Sequence, residues 1–203
     1  KKLRSYVTDE NFQSVIITVP ARFDIPQMDA TKRAAKLAGF DYCELLSEPI
    51  AASMAYGLNS KNKSGYWIVF DFGGGTFDAA LVKVEEGIMK VVDTEGDNYL
   101  GGKNLDEAIV NEIIIPYLQE EYVIDNILED QSKKQILQDA MKYFAEEAKV
   151  QLSFKEEHNV LSDLGDLGED DEGEEIELDI TINRETLKNA IAPMFQRAIN
   201  ATK

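Results

Sequence analysis

The run Asp71-Phe72-Gly73-Gly74-Gly75-Thr76-Phe77-Asp78 constrains this chain more than any other stretch. It follows directly on Tyr66-Trp67-Ile68-Val69-Phe70, an apolar run that reads as a buried strand. Three successive glycines give a strand nothing to pack, so the chain must turn there. A backbone without side chains also lets its N–H groups approach phosphate oxygens closely. Asp71 and Asp78 bracket the glycines with hard oxygen ligands suited to Mg²⁺, directly or through water, and Thr76 adds a hydroxyl. A hairpin whose tip happens to be rich in glycine has the same local sequence, and that alternative stands on these residues alone.

The flanking pattern predicts α/β layering. Val15 to Pro20 is a β-branched run closed by proline, read as a buried strand. A helix is expected over Gln27 to Ala38, stopped by Gly39, then a strand over Phe40 to Leu46. Glu48 to Gly57 reads as a short helix with Pro49 in its first turn. Asn59 to Gly65 reads as a linker. After the glycine turn come strands Asp78 to Val84 and Ile88 to Thr94, joined at Glu85-Glu86-Gly87.

The second half changes character. Asn104 to Tyr122 is helical in pattern, with Leu105, Ile109, Ile113 and Tyr117 on one stripe and a kink or split expected at Pro116. Gln131 to Ser153 is a stronger helix, with Leu137, Met141, Phe144, Ala148 and Leu152 facing one way. Val160-Leu161 and Ile176 to Ile182 read as two arms of a hairpin. The acidic stretch Asp163 to Glu175 between them does not match an EF-hand spacing and is expected to be a solvated, mobile tip. Asn183 is expected to cap a last helix, Arg184 to Thr202, interrupted near Pro193.

Composition narrows the partners. The 203 residues hold 21 Lys and Arg against 38 Asp and Glu, a net charge of −17, which argues against nucleic acid and anionic membrane. A polyanionic ligand must then be met by local donors and a metal. The one cysteine, Cys43, excludes a disulfide framework and reads as a packed thiol. No signal peptide or long apolar run is evident, so a cytoplasmic location is the expectation. The chain opens at Lys1 without Met and ends inside a helical pattern, and it reads as a piece of a longer protein.

Other residues carry weaker signals. Glu48 stands at a helix start, where a carboxylate is welcome for the dipole alone or could orient water or a metal's water. Gly101-Gly102 suits either a hinge or a simple turn. Glu146, Lys149 and Ser153 share one helix face, which is either an ordinary surface pair or a donor set for a ribose or base edge. His158 has no histidine or cysteine partner in the pattern and is assigned no chemistry.

Taken in order, the pieces resemble a known family. The segments Ile17 to Phe23, Ala30 to Gly39, Ser47 to Leu58, Phe70 to Asp78, Gly96 to Gly102 and Glu146 to Ser153 are similar to the 70-kDa heat-shock chaperones, DnaK-like stress-response proteins. The resemblance implies an α/β, actin-like ATPase fold with ribonuclease-H-like mixed sheets, of which this chain carries the second lobe and its helical subdomain. It implies 1–61 as the end of a first-lobe core, 62–100 as a β-rich second-lobe core, 101–182 as the helical subdomain with its hairpin, and 183–203 as a return to the second lobe. It implies ATP or ADP with Mg²⁺, lying between lobes, and hydrolysis by the full-length protein, this piece being inactive alone.

By the same resemblance, Gly73, Gly74, Gly75 and Thr76 form a phosphate loop, and Asp71 and Glu48 hold the metal through water. Asp78 and Thr76 stand near the attacking water and the terminal phosphate. Gly101 and Gly102 become a hinge, Glu146, Lys149 and Ser153 take the adenosine, and Pro20 is a nucleotide-dependent switch. Polypeptide clients would bind a further domain downstream, with J-domain cochaperones and exchange factors as helpers. Departures are Arg22 for an aromatic, Met28 for an arginine that relays nucleotide state, Ile50 for threonine and Lys103 for glutamate. They point to a divergent paralogue. Competing readings are a sugar-kinase-like or filament-forming actin-like ATPase, and a nucleotide-binding cochaperone module without turnover.

Overall fold

The computed structural model describes residues 13–57, 64–86, 88–163, 165 and 167–203. The described residues fall into two compact units, one running up to Tyr99 and including Ala201–Lys203, the other Leu100–Asn200. The expected linker residues 59–63, Leu58 of the resemblance, and Gly87 of the expected turn lie outside the described residues.

In the first unit, β1 (Ser14–Val19) and β2 (Tyr42–Ser47) pair in parallel around α1 (Ile25–Leu37). Asp24 starts α1 by accepting from the Gln27 N–H, while Gln27 Oε1 accepts from the Asp24 N–H, a reciprocal cap. Helix α2 (Glu48–Gly57) follows β2 without a break. Then β3 (Gly65–Phe72), β4 (Phe77–Glu85) and β5 (Ile88–Asp97) form an antiparallel sheet with β4 in the centre. Ala80, Val82 and Val84 of β4 are buried, with Ile50 of α2 and Trp67, Val69, Met89 and Val91 packed against them. The isoleucine at 50 is therefore a core residue that seats α2 on the sheet.

Two strands expected to be buried are covered on one face only. In β1 the burial alternates and Ile16 is 65% exposed. In β3, Trp67 and Val69 turn inward while Ile68 stays 70% exposed. A continuous apolar run does not distinguish a strand covered on both faces from a one-sided one, because the covering layer is absent from the local sequence.

The second unit is mostly helical. Helix α3 (Gly102–Ile109) passes into a π-helical turn, Val110–Ile114, and then α4 (Ile115–Glu121). The irregularity expected at Pro116 thus lies upstream of it. Pro116 follows in the first turn of α4, where Asn111 and Glu112 are exposed so that water can satisfy the carbonyl its missing N–H leaves, and the Ile115 N–H reaches back to the Val110 carbonyl. A short helix, α5 (Asp125–Glu129), precedes α6 (Gln131–Leu152), and β6 (Glu157–Leu161) pairs antiparallel with β7 (Asp179–Asn183). The expected stripe of α6, Leu137, Met141, Phe144, Ala148 and Leu152, is buried in full, against Ile109, Ile114, Leu118, Ile176 and Ile182 among others. Asn183 caps α7 (Arg184–Thr202) by accepting from the Thr186 N–H. The helix is not interrupted at Pro193. Pro193 and Asn189 are both exposed, so water can satisfy the carbonyl that the proline leaves without its donor.

The acidic stretch is not a free tip. Asp170 is 8% exposed, its Oδ1 accepting from the Glu172 and Glu174 N–H groups and its Oδ2 from the Val123 N–H. Asp171 accepts from the Asn126 N–H, and Leu167 and Ile176 are buried. The carboxylates satisfy backbone donors near α5, a role that composition does not reveal. Those donors, Glu174 foremost, hold the Asp170 carboxyl below its ordinary range. Its stabilising contribution is therefore present at neutral pH and lost as pH falls through the lowered value. Asp170→Ala is expected to strip protection from the Val123 and Glu174 amides in hydrogen exchange while leaving α7 unchanged.

Candidate functional site

The glycine turn is a four-residue connection between two strands in register. Asp71 lies directly opposite Asp78 and Phe72 opposite Phe77. The Gly73 N–H donates to the Thr76 carbonyl at 2.9 Å and closes the turn. That corrects the expectation that all three glycines offer donors, because Gly73 spends its own. The N–H groups of Gly74, Gly75 and Thr76 make no hydrogen bond to any described residue. Phe77 is fully buried, its ring 4.7 Å from that of Phe70, which fixes the base of the turn.

None of the three glycines has a positive φ. A Cβ at Gly73 would meet the Thr76 carbonyl at 3.2 Å, whereas at Gly74 and Gly75 it would meet nothing within 4 Å. The fold therefore does not demand glycine at 74 and 75. The bare backbone there leaves room for a close approach that no described residue makes.

Three carboxylates meet beside this turn. Helix α2, seated on the sheet, brings Glu48 to the end of β3 and β4. Burial pushes the Glu48 carboxyl above its ordinary value, and the charges of Asp71 and then Asp78 add to this. Asp78 is 2% exposed. Burial raises its carboxyl and the Asp71 charge raises it further, while the Ala21 and Arg22 N–H groups and the Arg22 guanidinium pull it back. Asp78 Oδ1 is buried without a hydrogen-bond partner among the described residues. Crowded acidic oxygens, one of them orphaned, fit a cation with its water shell. Among the described residues no three His, Cys, Asp or Glu side chains converge as a direct ligand set, so a metal here would be held mainly through water and phosphate.

Carboxyls with raised values bind protons more tightly when folded. They contribute nothing below the unfolded value, lose stability as pH rises from there to the folded value, and carry a constant cost above it. Asp78→Asn is thus expected to raise the melting temperature of the nucleotide-free full-length protein by about 2–4 °C at pH 7, roughly 1 kcal/mol. The gain should shrink as pH falls into the carboxylate range, which thermal unfolding at several pH values reads directly.

Pro20 begins the turn after β1, where the Phe23 N–H donates to its carbonyl at 3.2 Å.

In the second unit, Gly101 precedes α3 and its N–H donates to Asn104 Oδ1 at 2.9 Å. Lys149 on α6 reaches this end of α3, with Nζ 2.5 Å from Asp106 Oδ1 and 3.5 Å from the Gly102 carbonyl. Its partner is therefore Asp106 and not Glu146, as a surface pair along the helix would have it. Glu146 is exposed. The Ser153 hydroxyl donates to the Lys149 carbonyl at 3.0 Å, leaving its lone pairs outward. Two of the three ammonium protons are used, and one remains for an acceptor. His158 is largely covered, 3.5 Å from Glu147 Oε1. The spacing of residues gave no sign of Asp106, which lies 43 positions from Lys149.

Comparison with known proteins bears on the whole chain. Residues 1–203 match the model of a family described as Hsp70 protein. The chain is 37% identical over 193 residues to a chaperone protein HscA homolog of Rickettsia prowazekii, covering 95% of this chain and 27% of that protein. It is 33% identical over 203 residues to a chaperone protein DnaK of Ureaplasma urealyticum, covering 97% of this chain and 32% of that protein. It thus spans about a third or less of the curated relatives it matches.

Proposed function

Because the chain belongs to the Hsp70 family, we propose that it forms part of the ATP-binding and hydrolysing domain of a DnaK-like chaperone, and that nucleotide state there governs the holding of polypeptide clients. The actin-like arrangement, the four-segment division at 1–61, 62–100, 101–182 and 183–203, the hinge at Gly101-Gly102 and the switch at Pro20 belong to the same proposal. So do client binding through a further domain and help from J-domain and exchange-factor partners.

One observation carries the reading: Gly74 and Gly75 leave open space that no described residue fills, beside N–H donors that bond no described residue and a trio of acidic groups. The free N–H groups of Gly74, Gly75 and Thr76 would take phosphate oxygens, and the Thr76 hydroxyl would add a donor at the terminal one. Bound Mg²⁺ would supply charge neutralisation between phosphate oxygens. Asp71 and Glu48 would orient its waters, and Asp78 would join the acidic cluster around the attacking water. Phosphoryl transfer asks for such placement more than for covalent help from the protein. Glu146, Lys149 and Ser153 would meet the adenosine, Lys149 with its remaining proton.

The test separates fold from ligand. Gly75→Ala in the full-length protein is expected to leave the melting temperature unchanged within error, since its methyl meets nothing. It should weaken Mg²⁺–ATP binding in calorimetry by about tenfold or more, the scale of one charge-assisted hydrogen bond. Wild-type affinity in a folded variant would move the phosphate site elsewhere.

A further inference from the structure

We propose that Arg22 and Glu95 form a clamp that positions the Asp78 carboxylate, making Arg22 a positioning residue for the chemistry at the glycine turn; this rests on reading that turn as the phosphate site. Arg22 lies in the turn that follows Pro20, between β1 and α1. One guanidinium nitrogen is 2.5 Å from Glu95 Oε2 and 3.5 Å from the Gly96 carbonyl. Glu95 and Gly96 belong to β5, where Gly96 stands directly opposite Asp78. The side chain therefore ties the turn to the strand beside Asp78, across 73 positions of sequence.

The same turn holds the carboxylate. The Ala21 and Arg22 N–H groups donate to Asp78. Oδ1 keeps no partner, so those donors fall on the other oxygen. On the β5 side, Gly96 packs so close that a Cβ there would lie 3.2 Å from Oδ1. The carboxylate is thus held by the turn, backed by Gly96 and faced by Asp71. A carboxylate with one oxygen tethered and the other free and buried points in one direction, and a shift of the turn would carry both tethers away from it. The ion pair is half-exposed at both ends, 42% and 61%, so its worth lies in where it places the turn and little in stability. An aromatic side chain at position 22 could not reach Glu95 as an ion pair.

The experiment uses the full-length protein with Mg²⁺–ATP in single-turnover assays, together with nucleotide affinity. Arg22→Ala and Glu95→Ala are each expected to slow turnover by about fivefold with affinity unchanged, because misplacement of a reacting group acts on rate. The double variant should be no slower than either single one, since both break one contact. Arg22→Lys, which can still reach a carboxylate, should recover part of the rate. Hydrogen exchange gives a readout independent of turnover: the Ala21 amide should lose protection in Arg22→Ala. Losses that multiply in the double variant, or affinity that falls in step with rate, would overturn the clamp. So would an Arg22→Ala enzyme at wild-type rate beside an inactive Asp78→Asn. Should Asp78→Asn itself turn over normally, the reading of the turn fails and takes the clamp with it.

Discussion

Asp71→Asn in the full-length protein is expected to lower single-turnover ATP hydrolysis by about 10²- to 10³-fold, the scale found when one preorganised electrostatic group is removed. Asparagine has nearly the same size and shape, so the pairing of β3 with β4 survives. What goes is a negative charge placed opposite Asp78 and felt by Glu48. In the absence of nucleotide that charge is a burden, because it pushes both neighbouring carboxyls upward. The variant should therefore melt no lower than wild type at pH 7, and higher if repulsion dominates. Activity and stability moving in opposite directions is the mark of a site where like charges are kept together for a cation. A variant that loses stability and keeps its rate would show Asp71 to be a structural residue only.

Gly96→Ala is expected to destabilise the first unit strongly. The new Cβ would lie 2.5 Å from the Phe77 carbonyl, which is backbone, and 3.2 Å from Asp78 Oδ1. A side chain could swing aside, but a central strand cannot without breaking its ladder to β3 and β5. We expect about 2–3 kcal/mol of destabilisation, measured by denaturant unfolding. Where the variant remains folded, turnover should fall as well, since β4 carries Asp78. Glycine at 96 is thus required by close approach, in contrast to glycine at 74 and 75, where the space is open.

Much of this architecture could be read from the chain. The stripe of α6 is a strict helical repeat, the cap at Asn183 follows local rules, and α2 begins and ends where proline and glycine place it. The cluster of Glu48, Asp71 and Asp78 was legible as a set of motifs, though their meeting depends on Ile50 seating α2 on the sheet. What stayed hidden was long-range. Asp106 with Lys149, Arg22 with Glu95 and Asp170 with Val123 join residues far apart, and nothing in local spacing announces them. The one-sided burial of β1 and β3 was hidden for the same reason, and so was the use of acidic residues as backbone acceptors in 167–175.

The wide turn at Val110–Ile114 amounts to one extra residue accommodated inside a helix. A residue added to or taken from a regular helix rotates everything beyond it by about 100°. Leu118, fully buried, keeps its inward heading only because the wide turn absorbs that angle. The phase of the segment from Ile115 onward is therefore set by chain length as much as by residue type. A one-residue deletion here is expected to close the segment into a regular α-helix and keep α4's apolar side inward, whereas one residue inserted into the regular turns would rotate that side toward water without altering a single hydrophobic side chain.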